Sequence, residues 1–274
     1  GSNLVRAPRP DESRGNFFRV PTMISSIRAR RAHRTFVELE PRAVHDAREP
    51  HGEAFDEGVD WDALAPRGDY VEYFKPLLDE LLLALVLVPA LLLGGVVALA
   101  GAVAHRSWRK AFFVQDRVGH RGRIFKLVKF RTMSEPKVST FESWSTGDQA
   151  RVTRFGRFLR SSHLDELPQL INVVRGEMSF IGPRPEMVEV EEWACANVPG
   201  FLERLAIKPG ITGLAQTTQG YTPRDVEAYR TKLAINREYL RRFSFRADVA
   251  ILFRTAAWMV RGKGWKWKKS SQPC

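Results

Sequence analysis

From Leu81 to Ala104 the chain carries no charged residue. About 20 apolar residues span the hydrocarbon of a bilayer, so this run predicts a membrane segment and excludes a chain that is water-soluble throughout. Pro89 lies in its first half. It removes a backbone donor and pushes Val88 away from helical geometry, so one geometry is a helix broken there that dips in and returns, provided the freed carbonyls find partners. The other is a straight crossing. The flanks favour crossing: His105, Arg106, Arg109, Lys110, Arg117, Arg121 and Arg123 follow the run, whereas only Arg67 and Lys75 precede it, among Asp62, Asp69, Glu72, Asp79 and Glu80. That asymmetry puts the N-terminus outside and the following part on the cytoplasmic side.

The charge of the whole chain has the same asymmetry. The formal charge is +12, and it divides into −3 over residues 1–80 and +15 over residues 81–274. The part after the apolar run therefore attracts anions: lipid head groups, nucleotide phosphates or nucleic acid. Cys195 and Cys274 make no disulfide framework and no Cys-rich metal site. The opening Gly-Ser reads as a cloning scar. Residues 3–66 have little hydrophobic periodicity and an Arg-rich piece at 28–34, which predicts an irregular arm. Arginines scattered among its first apolar residues predict no secretory signal.

After the membrane run, residues 111–119 and 124–133 read as two strands of a hairpin, with Gly119 and Gly122 as breakers. The polar face of the second carries Lys126 with Arg131, or Lys129, depending on register. Residues 134–150 read as a loop. Residues 151–160 form a short helix with Phe155, Phe158 and Leu159 on one face. Ser162 and Asp165 have capping-box spacing for the next helix, with Pro168 in its first turn.

Asp165 and Glu166 are adjacent carboxylates at that helix start. Acids are common at helix N-termini because the dipole favours them. Two neighbouring carboxylates repel, however, and Arg154, Arg157, Arg160, Arg175 and Arg184 supply counter-charge for them or for a bound phosphate. One could then stay ionised as a nucleophile while the other holds a metal ion. Pro183 and Pro185 stiffen the backbone on either side of Arg184 and pre-position its guanidinium for bidentate phosphate binding. His163 is a candidate proton carrier or a polar helix-end residue. Residues 193–205 read as a helix and turn; Lys208 to Gln216 form a turn-rich strand or loop that brings a lysine and backbone amides together.

These blocks in this order resemble the bacterial sugar transferases known as polyprenyl-phosphate phosphoglycosyl transferases, of the small monotopic superfamily. They are Lys129-Phe130-Arg131-Thr132-Met133, Leu159-Arg160, Asp165 to Leu170, Gly176 to Pro185 and Lys208 to Gly213; the likeness runs from about Tyr73 to Gly262. The resemblance implies that Asp165 is a nucleophile attacking the sugar-side phosphate of a UDP-sugar, releasing UMP, and that polyprenol phosphate then takes the phosphosugar. It implies Glu166, with Asp165, at a magnesium ion, with Arg160 and Arg184 at the phosphates and Lys129, Arg131, Pro183, Pro185 and Lys208 as further binding candidates. It replaces the straight crossing by a re-entrant helix bent at a Ser-Pro pair, of which this chain has Val88-Pro89: proline present, serine missing. Near Lys75-Pro76-Leu77-Leu78-Asp79, many relatives have Arg after the Lys.

The resulting expectation is an α+β monotopic membrane protein of the bacterial inner membrane. Its divisions are an arm (1–66), a re-entrant helix region broken at Pro89 (67–106), a mainly helical catalytic domain with a small β-hairpin on the cytoplasmic face (107–262), and a basic, aromatic interfacial tail (263–274). Thr222 to Arg261 reads as one long, partly amphipathic helical region, and Trp265 to Lys269 mixes tryptophan and lysine as interfacial segments do. Anionic lipid is the expected surface partner, and a homo-oligomer stays open, with the arm available to it. A rival reading is a catalytically silent adaptor gathering anionic lipid or partners. Nucleic-acid binding draws on charge alone, with no recognised motif.

Overall fold

The computed structural model describes residues 55, 58–134, 151–220 and 222–261. The Arg-rich piece at 28–34, the loop over 135–150 and the Trp-Lys tail lie outside them. The structured part begins with a one-turn helix, α1 (Trp61–Leu64), capped by Asp60, inside a segment expected to be irregular. A π-helical turn over Tyr70–Phe74 then leads into α2 (Lys75–His105).

The two form one 36-residue apolar helix, Tyr70–His105, of which only 11% is buried across its most hydrophobic window. It is therefore no core helix. Twelve of the large exposed apolar side chains lie on it, Leu85 and Leu92 at 73% and 71% exposure among them. At about 2 kcal/mol for each side chain left in water, this surface costs on the order of 20 kcal/mol, more than a domain's whole stability, so the helix suits hydrocarbon better than water. α2 does not end at Pro89. Helical structure continues to His105, so the proline removes the hydrogen bond to the Leu85 carbonyl and any change of direction there is a kink within the helix.

After α3 (Trp108–Ala111) comes the expected hairpin: β1 (Phe112–Val118) pairs antiparallel with β2 (Ile124–Phe130), Phe113 opposite Lys129 and Asp116 opposite Lys126. Alternation along β2 puts Lys129 on the face of Phe125 and Leu127. α4 (Arg154–Ser161) is capped by the Thr153 hydroxyl. Leu159 is fully buried and Phe155 packs beside it, but Phe158 points outward at 57% exposure, against expectation: three residues on from Phe155 and one before Leu159, it falls at the edge of the buried stripe.

A 3-10 segment (Leu164–Gln169) and α5 (Leu170–Val174) follow. The capping box fails because Ser162 turns its hydroxyl back to Phe158 and Leu159 carbonyls and closes α4, and His163 makes the turn at φ 58°. β3 (Ser179–Ile181) pairs parallel with β4 (Gly210–Thr212). Between them lie α6 (Val188–Asn197), which starts five residues earlier than expected, and a 3-10 segment over Phe201–Ala206. α7 (Leu214–Thr218) leads to α8 (Val226–Arg241) and α9 (Phe245–Val260). The long helical region is thus two helices, separated where Ser244 leaves helical geometry and caps the second.

Both ends of α2 pack on this one domain. Near its start, Lys75 pairs with Asp248 of α9 at 3.0 Å, Asp79 accepts from the Ser179 hydroxyl at 3.0 Å, and Leu78 joins Ile181, Tyr239 and Ile251. Near its end, Val97 is buried with Phe130 and Leu159, and a Cβ on Gly101 would sit 3.3 Å from that of Ala111.

Candidate active site

The acid pair stands on the 3-10 segment between α4 and α5. Leu164 and Leu167, three apart on the tight helix, anchor it in the apolar cluster beneath α2. Lys129 reaches in from β2, its Nζ 3.3 Å from Glu166 Oε1, and Arg184 NH1 approaches the same oxygen at 3.6 Å. Glu166 keeps 21% side-chain exposure and Arg184 37%, so the cluster opens to solvent on the arginine side.

These contacts drive the two adjacent acids in opposite directions. Burial alone would raise Glu166, but Lys129, Arg184 and His163 outweigh it and hold its carboxyl down at about 2. Asp165 is raised from its ordinary value by burial and by the charge of Glu166, against Lys129, Arg160 and His163. Burial pulls Lys129 below its ordinary value, with Glu166 opposing. The two adjacent acids thus stand in divergent environments, one held as an anion and the other the more basic carboxylate.

Arg184 owes its place to backbone anchoring. The Pro183 carbonyl accepts from Gly210 N at 2.9 Å, the Arg184 carbonyl from Arg204 NH1 at 2.8 Å, and the Pro185 carbonyl from Arg117 NH1 at 3.1 Å. Arg204 is fully buried and ion-paired with Glu191, and Lys232 is likewise paired with Glu186. The two prolines limit the backbone, and buried Arg204 and half-buried Arg117 fix what remains.

The other expected residues divide. Arg160 donates from Nε to the Thr132 hydroxyl at 2.9 Å, and its charge acts on Asp165. Arg131 turns to the backbone, donating to the Lys110 carbonyl at 2.8 Å and towards that of Phe112 at 3.4 Å. Lys208 is exposed beside Gly176, its charge bearing on His120; it is not among the charges that set the acid pair. His163 stacks on Trp258, ring centroids 5.2 Å apart.

Sequence reasoning passed over Arg117, Arg204 and Asn172. Asn172 is fully buried, donates to the Lys126 carbonyl and to Glu177, and accepts from Val128 N, fastening α5 to the strand that carries Lys129. A usable signal was present for Lys232 and Asn236, polar residues at helical spacing on the apolar face of Tyr229 and Leu233 in α8. For Arg117 and Arg204 the sequence offers none, since the carbonyls they hold come from distant segments.

The bacterial sugar transferase family matches residues 70–262. The UDP-glucose:undecaprenyl-phosphate glucose-1-phosphate transferase of Caulobacter vibrioides is 36% identical over 190 residues, 68% of this chain and 69% of that protein. The exopolysaccharide production protein ExoY of Sinorhizobium fredii is 34% identical over 217 residues, 74% of this chain and 91% of that one. A UDP-N-acetylgalactosamine-undecaprenyl-phosphate N-acetylgalactosaminephosphotransferase of Aeromonas hydrophila is 37% identical over 152 residues, 56% of this chain but 36% of its own length, so the chain spans little more than a third of that relative. Matched over residues 70–262, a range that includes the long apolar helix, the acid pair and the Pro-Arg-Pro segment, the chain belongs to the bacterial sugar transferase family.

Proposed function

We propose that this protein is a phosphoglycosyl transferase that moves a sugar-1-phosphate from a UDP-sugar to polyprenyl phosphate, of the undecaprenyl type named in its relatives, at the start of surface glycan assembly. An Asp165 carboxylate oxygen attacks the sugar-side phosphorus; the bond to the UMP oxygen breaks and UMP leaves with that electron pair. An oxygen of polyprenyl phosphate then attacks the same phosphorus, Asp165 leaves as carboxylate, and polyprenyl-diphosphate-sugar is formed. The observation that carries this reading is the split of two adjacent acids inside one basic pocket: the raised Asp165 is the better nucleophile, and Lys129, Arg184 and Arg160 are placed to neutralise phosphate before and after transfer.

Magnesium fits the donor set. Mg2+ takes oxygen ligands and typically uses one or two carboxylates together with substrate phosphates, and Glu166, ionised throughout the working pH range, with Asp165 supplies that number. Glu166 and Asp165 would be the residues that hold it. When bound, the ion offsets diphosphate charge.

The proposed setting is the cytoplasmic face of the bacterial inner membrane, with α2 re-entrant and α9 and the tail at the head groups. Support comes from the packing of both ends of α2 on one domain, since a crossing helix would carry one end to the far side of the hydrocarbon. The outward apolar residues Phe245, Phe253 and Val260 of α9 suit a lipid surface. A cysteine placed in residues 3–54 should resist a membrane-impermeant reagent in intact cells and react after permeabilisation; labelling from outside would sink the re-entrant path.

The relatives' names give glucose in one case and N-acetylgalactosamine in another, so the donor is tested as a panel. UMP release with UDP-glucose, UDP-galactose and their N-acetylated counterparts, plus undecaprenyl phosphate, should occur with the parent and vanish in Asp165→Asn. Equal release by both removes the nucleophile assignment, and no release with any donor supports the adaptor reading.

A further inference from the structure

Helix α9 connects the two places where this fold does its work. At its first turn Asp248, fully buried, accepts from the Tyr70 hydroxyl at 2.7 Å and the Tyr239 hydroxyl at 2.5 Å and pairs with Lys75 at the foot of the membrane helix. Further along, the Thr255 and Thr212 hydroxyls share a hydrogen bond at 2.7 Å, fixing the helix to β4. Near its end the Trp258 ring lies 5.2 Å from that of His163, the planes tilted by 40°, within the range of favourable ring pairs.

His163 is one of three non-glycine residues with positive φ among the described residues, at 58°, a conformation that a Cβ disfavours. The turn it makes joins α4 to the 3-10 segment, its carbonyl accepting from Glu166 N at 3.2 Å, and Asp165 follows two residues later. Something must hold this turn, and the imidazole's ring partner comes from α9.

We infer that Trp258 is a positioning residue for the transfer: packed on His163, it holds the left-handed turn that presents Asp165, and it braces that turn through a helix anchored at the foot of the membrane segment. The inference rests on Asp165 as nucleophile. Trp258 acts through His163.

The test uses the full chain in lipid nanodiscs, with UMP release from whichever donor of the panel the parent accepts. Trp258→Ala should lower kcat about tenfold while KM for the UDP-sugar stays within about twofold, and Trp258→Phe, which restores a ring, should recover kcat to within about threefold of the parent. Glycine adopts φ near +58° without strain, so in a His163→Gly background Trp258→Ala should change kcat by less than about twofold. An unchanged kcat in Trp258→Ala, or the same loss in the His163→Gly background, overturns the inference. If Trp258→Ala does not fold, Trp258→Leu against Trp258→Phe decides, because leucine supplies bulk without a ring; equal kcat overturns it. Asp165→Asn runs in parallel. Release that survives there refutes the nucleophile, whereas a silent Asp165→Asn beside an indifferent Trp258→Ala refutes only the brace.

Discussion

Replacing Lys129 by Met tests the electrostatics of the acid pair. Lys129 Nζ and Glu166 Oε1 are 3.3 Å apart, and at an effective dielectric of about 20 unit charges at that range attract by about 5 kcal/mol. Partial exposure of both side chains, 16% and 21%, reduces what is realised, and an opposite charge this close lowers a carboxyl by about 1–3 units. Glu166 stands at about 2 with both cations present. With Arg184 left alone at 3.6 Å it should rise by about 1–3 units. Asp165, for which Lys129 is the largest opposing charge, should rise further above its ordinary value. Both carboxyls then take up protons at higher pH, so the acid limb of UMP release moves up. Initial rates with saturating UDP-sugar between about pH 4 and 8 should show that limb shifted by about one unit or more in Lys129→Met, and unshifted in Lys129→Arg. An acid limb that stays in place in Lys129→Met refutes the electrostatic argument. The sign for stability agrees. Glu166 lies below its unfolded value of 4.5, so its ionisation stabilises the fold above that pH and the benefit is lost as pH falls towards about 2. The gap corresponds to about 3 kcal/mol, partly cancelled because burial pulls Lys129 down as well.

Arg204→Met should strand the buried Glu191 carboxylate and release the Arg184 carbonyl, lowering stability by about 3–5 kcal/mol in denaturant titration; adding Glu191→Leu should recover most of it, and a double variant no more stable than the single one counts against the ion pair as the cause. Gly156→Ala places a Cβ 1.9 Å from the Thr132 carbonyl oxygen and should lower the melting temperature by several degrees, about 1–3 kcal/mol, whereas Gly95→Ala, with nothing within 4 Å, should leave it nearly unchanged.

Most elements of this fold are legible in short range. The hairpin follows from alternation between glycine breakers, and α4 from an apolar stripe. Where the reading failed, a local rule lost to a competing one. Ser162 has the spacing of a capping box, but the same hydroxyl can close the preceding helix, and the left-handed turn at His163 decides which. Phe158 looks like a third core residue until packing selects the Phe155–Leu159 stripe. The break at Ser244 is marked only by a residue that caps helices and also occurs within loops.

The sequence by itself determined that the chain carries 24 successive uncharged residues, enough to span a bilayer, and that two adjacent carboxylates sit among arginines. Local pattern left those carboxylates alike, and only the family resemblance gave them different roles. Their split depends on which cation comes within 4 Å of which oxygen, and that was decided when β2 brought Lys129, and the anchored Pro-Arg-Pro segment brought Arg184, to the same side of the 3-10 turn. Nor do local patterns say what α2 packs on: the contacts of Asp79 with Ser179 and of Val97 with Phe130 join residues distant in the chain, and only the tertiary structure reveals them.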